Sequence, residues 1–380
     1  MTVNNPVRVF SIFMLLWLCL PHPTARAEDT PLNLLLVTLD GVRWQEVFGG
    51  VDLDLIEDKR YSKNPELLKK SYWHTQKTER RIRLFPFLWS TIATQGVLIG
   101  DRNQESFLEV GNLWWFSYPG YNEILTGQSD PAIVSNDRNW NANVTFLEIL
   151  NGINGFNNRV MAFGSWDVFP YIINTQRSGL PVNAGLTTAT PEATEQILRL
   201  NKASAYAPRL WPTVRLDFIT HGYAMEALES QRPRVIYIAY GETDDFAHDG
   251  SYDRYIDAAH RTDRMLQDLW NWLQGDPFYR NQTVLIITTD HGRGNTPDGW
   301  PHHASARAMA KLDSQDGREG VPGSDQIWLA AIGPTIRSKG LIKGRWKQSQ
   351  IAATALASLL LDPAKIMPEA DQAMGRLLLH

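Results

Sequence analysis

The sequence predicts an α/β fold with a mostly parallel central sheet that is covered by helices on both faces. Short, almost continuously apolar runs are typical of strands that are buried on both sides. These runs alternate with helical patterns, which is the order found in layered α/β domains. The predicted strands are residues 34–39, 159–163, 234–240, 284–289 and 326–332. The predicted helices are residues 145–150, 192–200, 216–228, 255–273 and 350–361.

Local signals mark where several of these elements begin or end. Asp40-Gly41, a common turn pair, stops the first predicted strand. Asn143 is a candidate N-cap for the first predicted helix, and Thr190-Pro191 is typical of the start of the second.

Two stretches interrupt the alternation of strands and helices. Residues 51–95 are rich in charged and aromatic side chains and are expected to form a helical insertion. Residues 304–325 are polar, contain three glycines and are expected to form a loop near the functional edge of the sheet. We therefore expect one domain, residues 28–380, with insertions near these two stretches.

The composition is that of an ordinary globular protein. The chain has 380 residues, of which 43% are apolar and 21% are charged, and its net charge is −4. The densest basic stretch, residues 69–83, is expected to be a solvated surface, so nucleic acid is not an expected partner. Nothing in the sequence indicates an oligomeric state.

The N-terminus has the pattern of a secretory signal peptide, residues 1–27. Arg8 precedes an apolar run at 9–20, and Ala-Arg-Ala follows at 25–27. The run is short for a membrane span, although an uncleaved anchor is the alternative interpretation. Because no second hydrophobic segment is long enough to span a membrane, we expect a soluble periplasmic or secreted protein.

Cleavage of this signal peptide would remove the only cysteine of the chain, Cys19. The mature protein could then form no disulfide and could use no thiol nucleophile. Any nucleophilic chemistry must come from another residue type.

Acidic and imidazole side chains follow three of the predicted strands. They are Asp40, the pair Asp244 and His248, and the pair Asp290 and His291. Residues 244 and 248 are four positions apart and would share one face of a helical turn. The alternatives are an ordinary Asp-Gly turn at residue 40 and a solvated acidic loop at 244–249. The carboxyl ends of parallel strands meet at one edge, where such folds bind ligands.

Two further residues belong to the same prediction. Ser117 is expected to follow a buried strand and to lie at the start of a helix, where an anion is favoured. The alternative is a serine that only caps the helix ahead of Pro119. His303 lies twelve residues after His291. Three histidines, three aspartates and one hydroxyl are enough to hold two divalent metals. The mixture of imidazole and carboxylate favours zinc, with manganese or iron as alternatives.

With these residues identified, the chain resembles the alkaline phosphatase superfamily, and most closely its branch of nucleotide pyrophosphatases/phosphodiesterases. The order of the motifs matches across residues 34–332. The resemblance implies two metal sites. One would be formed by Asp40, Ser117, Asp290 and His291, and the other by Asp244, His248 and His303. The neighbouring His302 is the alternative to His303.

The resemblance also implies how a substrate would react. Ser117 would attack the phosphorus of a small phosphorylated substrate, a mono- or diester, and water would then hydrolyse the phosphoserine intermediate. An asparagine would hold a phosphoryl oxygen, and Asn136 is the candidate, with Asn139 and Asn141 as alternatives.

Other activities of the superfamily fit the sequence less well. Sulfatases carry an arginine four residues after the modified cysteine or serine, whereas Tyr121 stands at that position after Ser117. Phosphotransferase relatives usually have several membrane spans, and the related mutases are cytosolic. A metal-binding relative without turnover is disfavoured because every implied position holds a competent residue.

Overall fold

Eleven strands form two sheets in the computed structural model, which describes residues 1–2, 32–189, 194–312 and 320–380. Their bounds are β1 (Asn33–Leu39), β2 (Val97–Ile99), β3 (Ser106–Glu109), β4 (Val160–Gly164), β5 (Val182–Ala184), β6 (Val235–Tyr240), β7 (Thr283–Thr288), β8 (Gln326–Ile327), β9 (Leu329–Ile332), β10 (Gly340–Leu341) and β11 (Gly344–Lys347). The larger sheet has eight strands in the order β10-β2-β9-β7-β1-β6-β4-β5, and the smaller has the order β11-β3-β8.

The larger sheet is mostly parallel. Strands β7, β1, β6, β4 and β5 are parallel neighbours, with β1 at the centre between β7 and β6. Strand β9 runs antiparallel to both of the strands beside it. The predicted fold class is confirmed.

Helices connect and cover these strands. Their bounds are α1 (Trp44–Gly49), α2 (Leu53–Glu57), α3 (Pro65–Tyr72), α4 (Lys77–Leu84), α5 (Ala93–Gln95), α6 (Ser117–Thr126), α7 (Phe146–Gly152), α8 (Phe169–Ile172), α9 (Thr175–Ser178), α10 (Glu195–Tyr206), α11 (Asp217–Ser230), α12 (Glu242–His248), α13 (Tyr252–Gly275), α14 (Ala306–Leu312), α15 (Gln350–Ser358) and α16 (Pro363–Ile366). A π-helix, Leu88–Ile92, precedes α5.

The central strand β1 is buried on both faces, which explains its nearly continuous apolar sequence. Leu35 and Val37 belong to one hydrophobic cluster, which also includes side chains of α11 and α13. Leu34 and Leu36 belong to a second cluster, which includes side chains of α6, α7 and α15. The sheet therefore has a packed helical layer on each side.

The N-terminal prediction lies almost wholly outside the described residues. The described residues from 32 to 380 belong to one compact unit. Of the predicted signal peptide, only residues 1 and 2 are described. Within the described part of the chain, no helix has both the length and the apolar character needed to cross a membrane.

Several predicted elements need correction. The strand predicted at 326–332 is two strands, β8 and β9, which belong to different sheets. Trp328 separates them, and its indole N–H donates to the carbonyl of Val42 at 2.9 Å. The strand expected immediately before Ser117 is replaced by a loop, because β3 ends at Glu109 and the described residues from there to α6 are irregular. Strand β3 belongs to the smaller sheet.

The stretch 304–325 is not only a loop, since it contains α14. Its sequence, Ala-Arg-Ala-Met-Ala-Lys-Leu, consists of strong helix formers, and the hydroxyl of Ser305 accepts the backbone N–H of Ala308 at 3.0 Å. The three glycines that favour a loop all follow this helix in the sequence. The other stretch, residues 51–95, which was predicted to be a helical insertion, contains α2 to α5 and the π-helix.

The two predicted helix starts also lie elsewhere. Thr145, rather than Asn143, caps α7, because its side chain accepts the N–H of Glu148. Thr194 caps α10, while Thr190-Pro191 lies outside the described residues.

A buried carboxyl group in α13 makes the stability of the fold depend on pH. Asp263 is 1% exposed and accepts the backbone N–H groups of Phe87 and Leu88. Burial raises the pKa of Asp263 to about 7, although these two hydrogen bonds partly oppose the shift. An unfolded aspartate has a pKa of about 3.9. The folded state therefore binds more protons between about pH 4 and 7, and stability is lost as the pH rises through this window.

We expect Asp263→Asn to gain stability relative to the unmodified protein as the pH is raised from 5 to 8, because the amide cannot ionise. Melting temperatures of both proteins across this range measure the effect. Asp268→Asn, on the exposed side of the same helix, is the matched control and should show a constant difference. A difference for Asp263→Asn that does not change with pH would contradict the prediction.

Candidate metal centre

Most of the predicted site residues lie at one edge of the sheet, just after the ends of three neighbouring parallel strands. Asp40 directly follows β1, and Asp290 and His291 follow β7. Asp244 and His248 lie on α12, which begins two residues after β6. Because β7, β1 and β6 are adjacent and parallel, their carboxyl ends meet.

The first group of potential ligands is fully enclosed. Asp40, Asp290 and His291 each offer one atom, and these atoms lie within 4.8 Å of one another. Nε2 of His291 is 3.3 Å from Oδ1 of Asp40 and 3.4 Å from Oδ2 of Asp290. Oγ of Ser117 is 3.4 Å from the same imidazole nitrogen. The structure thus brings together the four residues of the first implied set.

The second group lies beside the first and is more open to solvent. Asp244, His248 and His303 also offer atoms within 4.8 Å of one another. Nε2 of His248 is 3.2 Å from Oδ2 of Asp244 and 3.1 Å from Nε2 of His303. The rings of His291 and His303 stack with their centroids 3.6 Å apart, so the two groups are in contact.

The electrostatics of the first group favour a bound cation. Oδ1 of Asp40 and Oδ2 of Asp290 are buried and have no hydrogen-bond partner among the described residues, and both face His291. Burial raises the pKa of Asp40 well above its ordinary value, and the nearby Asp244 raises it further. Burial, followed by repulsion from Asp40, likewise raises the pKa of Asp290. A divalent cation would relieve both the desolvation and the repulsion.

The imidazoles are oriented as metal ligands usually are. Nδ1 of His291 donates to the carbonyl of Gly292 at 2.8 Å, and Nδ1 of His303 donates to the carbonyl of Trp115 at 3.1 Å. In the neutral form of each ring this leaves Nε2 as the acceptor nitrogen, and it faces the carboxylates. Burial and the neighbouring His291 hold the pKa of His303 well below its usual value, which keeps this ring neutral. Nitrogen and carboxylate donors of this kind suit zinc or manganese.

Ser117 does not act as a helix cap. It is the first residue of α6, and Phe116 occupies the cap position without a side-chain hydrogen bond. The alternative interpretation, in which Ser117 only caps the helix, is therefore wrong. Its hydroxyl points towards His291. Close packing fixes this arrangement, because a Cβ atom at Gly120 would lie 2.4 Å from the carbonyl oxygen of Asp290.

Of the three candidate asparagines, Asn136 contacts the backbone next to the serine. Its Oδ1 accepts the backbone N–H of Tyr118 at 2.9 Å, which places the exposed amide beside the first turn of α6. Asn139 contacts this helix through its carbonyl, which accepts the hydroxyl of Tyr118. Asn141 is buried and its amide bonds Asn122.

The structure gives His302 and His303 different surroundings, although the spacing in the sequence did not show which of them belongs to the second group. His303 is inside the second group, whereas the ring of the exposed His302 lies 6.3 Å from that of His248.

We expect His303→Ala to lose one of two bound metal equivalents and His302→Ala to keep both. Metal analysis after dialysis tests this, and the reverse outcome would make His302 the ligand.

Three residues around the site were missed by sequence reasoning. The hydroxyl of Tyr121 donates to Oδ2 of Asp40 at 2.8 Å, and its position four residues after Ser117 on a helix could have indicated this. Trp115 has a φ of 58°, which is unusual for a bulky residue, and its carbonyl orients His303. Asn112 holds this turn through the N–H groups of Trp114 and Trp115, and no local signal predicts it.

Comparison with known proteins gives a family match. The sequence model of the family described as type I phosphodiesterase / nucleotide pyrophosphatase matches residues 57–326. This span includes every candidate ligand except Asp40. No curated protein matches the chain by sequence.

Solved structures share the fold at low sequence identity. Alkaline phosphatase PafA has a TM-score of 0.59 and 11% identity, with 93% of this chain and 100% of that chain covered. The phosphonate monoester hydrolase SpPMH from Silicibacter pomeroyi has a TM-score of 0.54 and 13% identity, with coverages of 91% and 76%. Murine ectonucleotide pyrophosphatase / phosphodiesterase 5 has a TM-score of 0.50 and 13% identity, with coverages of 87% and 95%.

Proposed function

The chain belongs to the type I phosphodiesterase / nucleotide pyrophosphatase family and is a metal-dependent phosphoric ester hydrolase, and from this premise we propose that it is exported, holds two divalent ions and uses Ser117 as its nucleophile. Its substrates are small phosphate mono- or diesters. The observation that carries the proposal is the contact between two groups of ligands with one serine hydroxyl beside them.

Each group would hold one ion. Asp40, Asp290 and His291, with Ser117, would bind the first, and Asp244, His248 and His303 the second. Zinc is the favoured metal and manganese the alternative. When bound, the ions lower the pKa of a coordinated hydroxyl and stabilise the negative charge on phosphoryl and leaving oxygens.

The residues of the chain supply nucleophile, orientation and hydrogen bonds. Oγ of Ser117 attacks phosphorus, the ester alcohol leaves, and water then cleaves the phosphoserine to release phosphate or a phosphomonoester. In the first turn of α6, Pro119 has no N–H and the N–H groups of Tyr118 and Gly120 are bonded to Asn136 and Phe116, so only the N–H of Ser117 is left to donate to the substrate phosphate. The amide N–H groups of Asn136 can donate to a phosphoryl oxygen, because its Oδ1 is already bonded to the backbone of Tyr118.

Tyr121 supports this chemistry from behind Asp40. Burial raises the pKa of Tyr121 above its ordinary value, so the phenol stays protonated and donates to Oδ2 of Asp40. The carboxylate is thereby held with Oδ1 directed towards His291.

Parallel assays of ester classes test the proposed function. The protein from residue 28 onwards would be supplied with zinc or manganese and assayed with p-nitrophenyl phosphate, bis-p-nitrophenyl phosphate and p-nitrophenyl sulfate. We expect hydrolysis of at least one phosphate ester, its loss with a chelator, and little sulfate hydrolysis. Mass spectrometry of acid-quenched reactions should find a phosphoryl group on the peptide containing Ser117. Two bound metals without turnover of any ester would instead identify a metal-binding relative.

A further inference from the structure

A buried arginine lies inside the candidate centre and is not accounted for by the proposed reaction. Arg293 follows His291 by two residues and is 0% exposed. Its Nη1 donates to Oδ1 of Asp244. Its Nε donates to the carbonyl of Trp300 at 2.9 Å, and its Nη2 donates to the carbonyl of Pro301.

This burial and bonding argue against a direct role with the substrate. A guanidinium that clamps a phosphoryl group must present N–H groups to the open side of the site. Each of the three donor nitrogens of Arg293 is instead bonded to the protein, in a position that solvent does not reach.

The same three bonds connect the parts of the chain that carry the second group of ligands. Asp244 comes from α12, whereas Trp300 and Pro301 lead directly to His303. Trp300 is itself fully buried and packs edge-on against Tyr61 and Tyr252, so the loop is anchored where Arg293 bonds it.

The contact also divides the two oxygens of Asp244 between different tasks. Arg293 bonds Oδ1, which also lies 3.6 Å from Nε2 of His303, while Oδ2 lies 3.2 Å from Nε2 of His248 and has no bond to the arginine. The bond from Arg293 therefore orients the carboxylate before any ion binds.

Space for the contact is left by a neighbouring glycine. Gly41 has a φ of 60°, a conformation that disfavours larger residues. A Cβ atom there would lie 2.7 Å from Nη1 of Arg293 and 2.9 Å from Oδ1 of Asp244. Glycine at position 41 therefore serves two purposes: it allows the positive φ of the turn after β1, and it leaves space for the bond between Arg293 and Asp244.

We propose that Arg293 is a positioning residue for the second ion, holding Asp244 as a ligand through Oδ2 and fixing the loop that carries His303. The inference rests on the proposed two-metal function. It separates Arg293 from the residues that contact the substrate. The fork of the guanidinium is essential to the role, because it must bond a carboxylate and two carbonyls at the same time.

Zinc titration of variants tests the inference. Arg293→Lys keeps the charge but loses the fork, and Arg293→Met keeps much of the volume but loses both. Competition with a chromophoric chelator would give the affinity of each zinc equivalent. We expect the tighter equivalent to be unchanged and the second to weaken about 10- to 100-fold in both variants, as is usual when a partner of a metal ligand is lost. Ester hydrolysis lost at limiting zinc should return when zinc is raised.

Arg215→Met is the matched control. Arg215 is also buried, and it bonds the hydroxyl of Thr220 and the carbonyl of Asn183, away from both ligand groups. We expect this variant to bind both zinc equivalents normally. An Arg293 variant that still binds the tighter zinc equivalent is folded. If Arg293→Met does not fold, Arg293→Lys alone tests the positioning role.

The outcomes separate the inference from the function on which it rests. An unmodified protein that does not bind two equivalents would overturn the proposed function. Two normal equivalents in Arg293→Lys, or an equal loss of both, would overturn the positioning role. Normal zinc affinity combined with a loss of hydrolysis that added zinc does not restore would assign Arg293 to the substrate instead.

Discussion

Ser117→Ala should lower phosphate ester turnover by at least about 1,000-fold, because the step that forms the covalent intermediate loses its nucleophile. The same variant should still bind two metal equivalents. Asp40, Asp290 and His291 remain as ligands of the first ion, and none of the second group is changed. Initial rates with the best ester and metal analysis of the same sample measure both effects.

Ser90→Ala is the control for this change. Ser90 is an exposed serine in the π-helix, where its hydroxyl lies near that of Thr91, and its loss should leave turnover unchanged. Substantial turnover in Ser117→Ala would show that water attacks the ester directly. A loss of both ions would mean that Ser117 is needed to build the centre, and its role as nucleophile would then be unsupported.

Asp244→Asn should empty the second metal site and lower turnover by roughly 100-fold or more, since a ligand and its charge are both lost. The asparagine keeps the volume of the side chain, so the effect is not that of a cavity. It also leaves the buried Arg293 without a carboxylate, which should lower the melting temperature. Zinc stoichiometry, turnover and thermal unfolding would each be measured.

The control for the second variant is Asp249→Asn. Asp249 lies one residue beyond the end of α12, is exposed and accepts the indole N–H of Trp211 at 3.1 Å, a bond that an asparagine can also accept. It should keep both zinc equivalents. If Asp244→Asn also keeps both zinc equivalents and remains active, Asp244 is not a metal ligand and the proposed composition of the second site is wrong.

Predictions from the sequence succeeded where the pattern of a single strand and the residues just after it were enough to identify the element. Nearly continuous apolar runs predicted β1, β6 and β7, because a strand covered on both faces is apolar on both sides and does not alternate with polar residues. The polar residues just beyond those runs could be assigned to one edge, since parallel neighbours end on the same side. Local patterns are therefore sufficient to assign Asp40, Asp244 and Asp290 to a common site.

Predictions failed or stayed open where distant parts of the chain decide the outcome. The run at 326–332 looks like one strand, but Trp328 turns inward and divides it between two sheets. The helix α14 was missed because the glycines that follow it suggested a loop for the whole stretch. His302 and His303 are equivalent in a linear pattern, and only the loop between β7 and α14 gives them different surroundings.

By itself, the sequence determined the class of the fold, the types of candidate ligand and the edge of the sheet at which these residues gather. Those features follow from the periodicity of buried strands and from side-chain chemistry, both of which are local. The tertiary structure alone decided that Ser117 faces His291 instead of capping its helix, and that Arg293 is enclosed against Asp244. Both outcomes depend on hydrogen bonds and close contacts between segments far apart in the chain, whose geometry no local pattern contains.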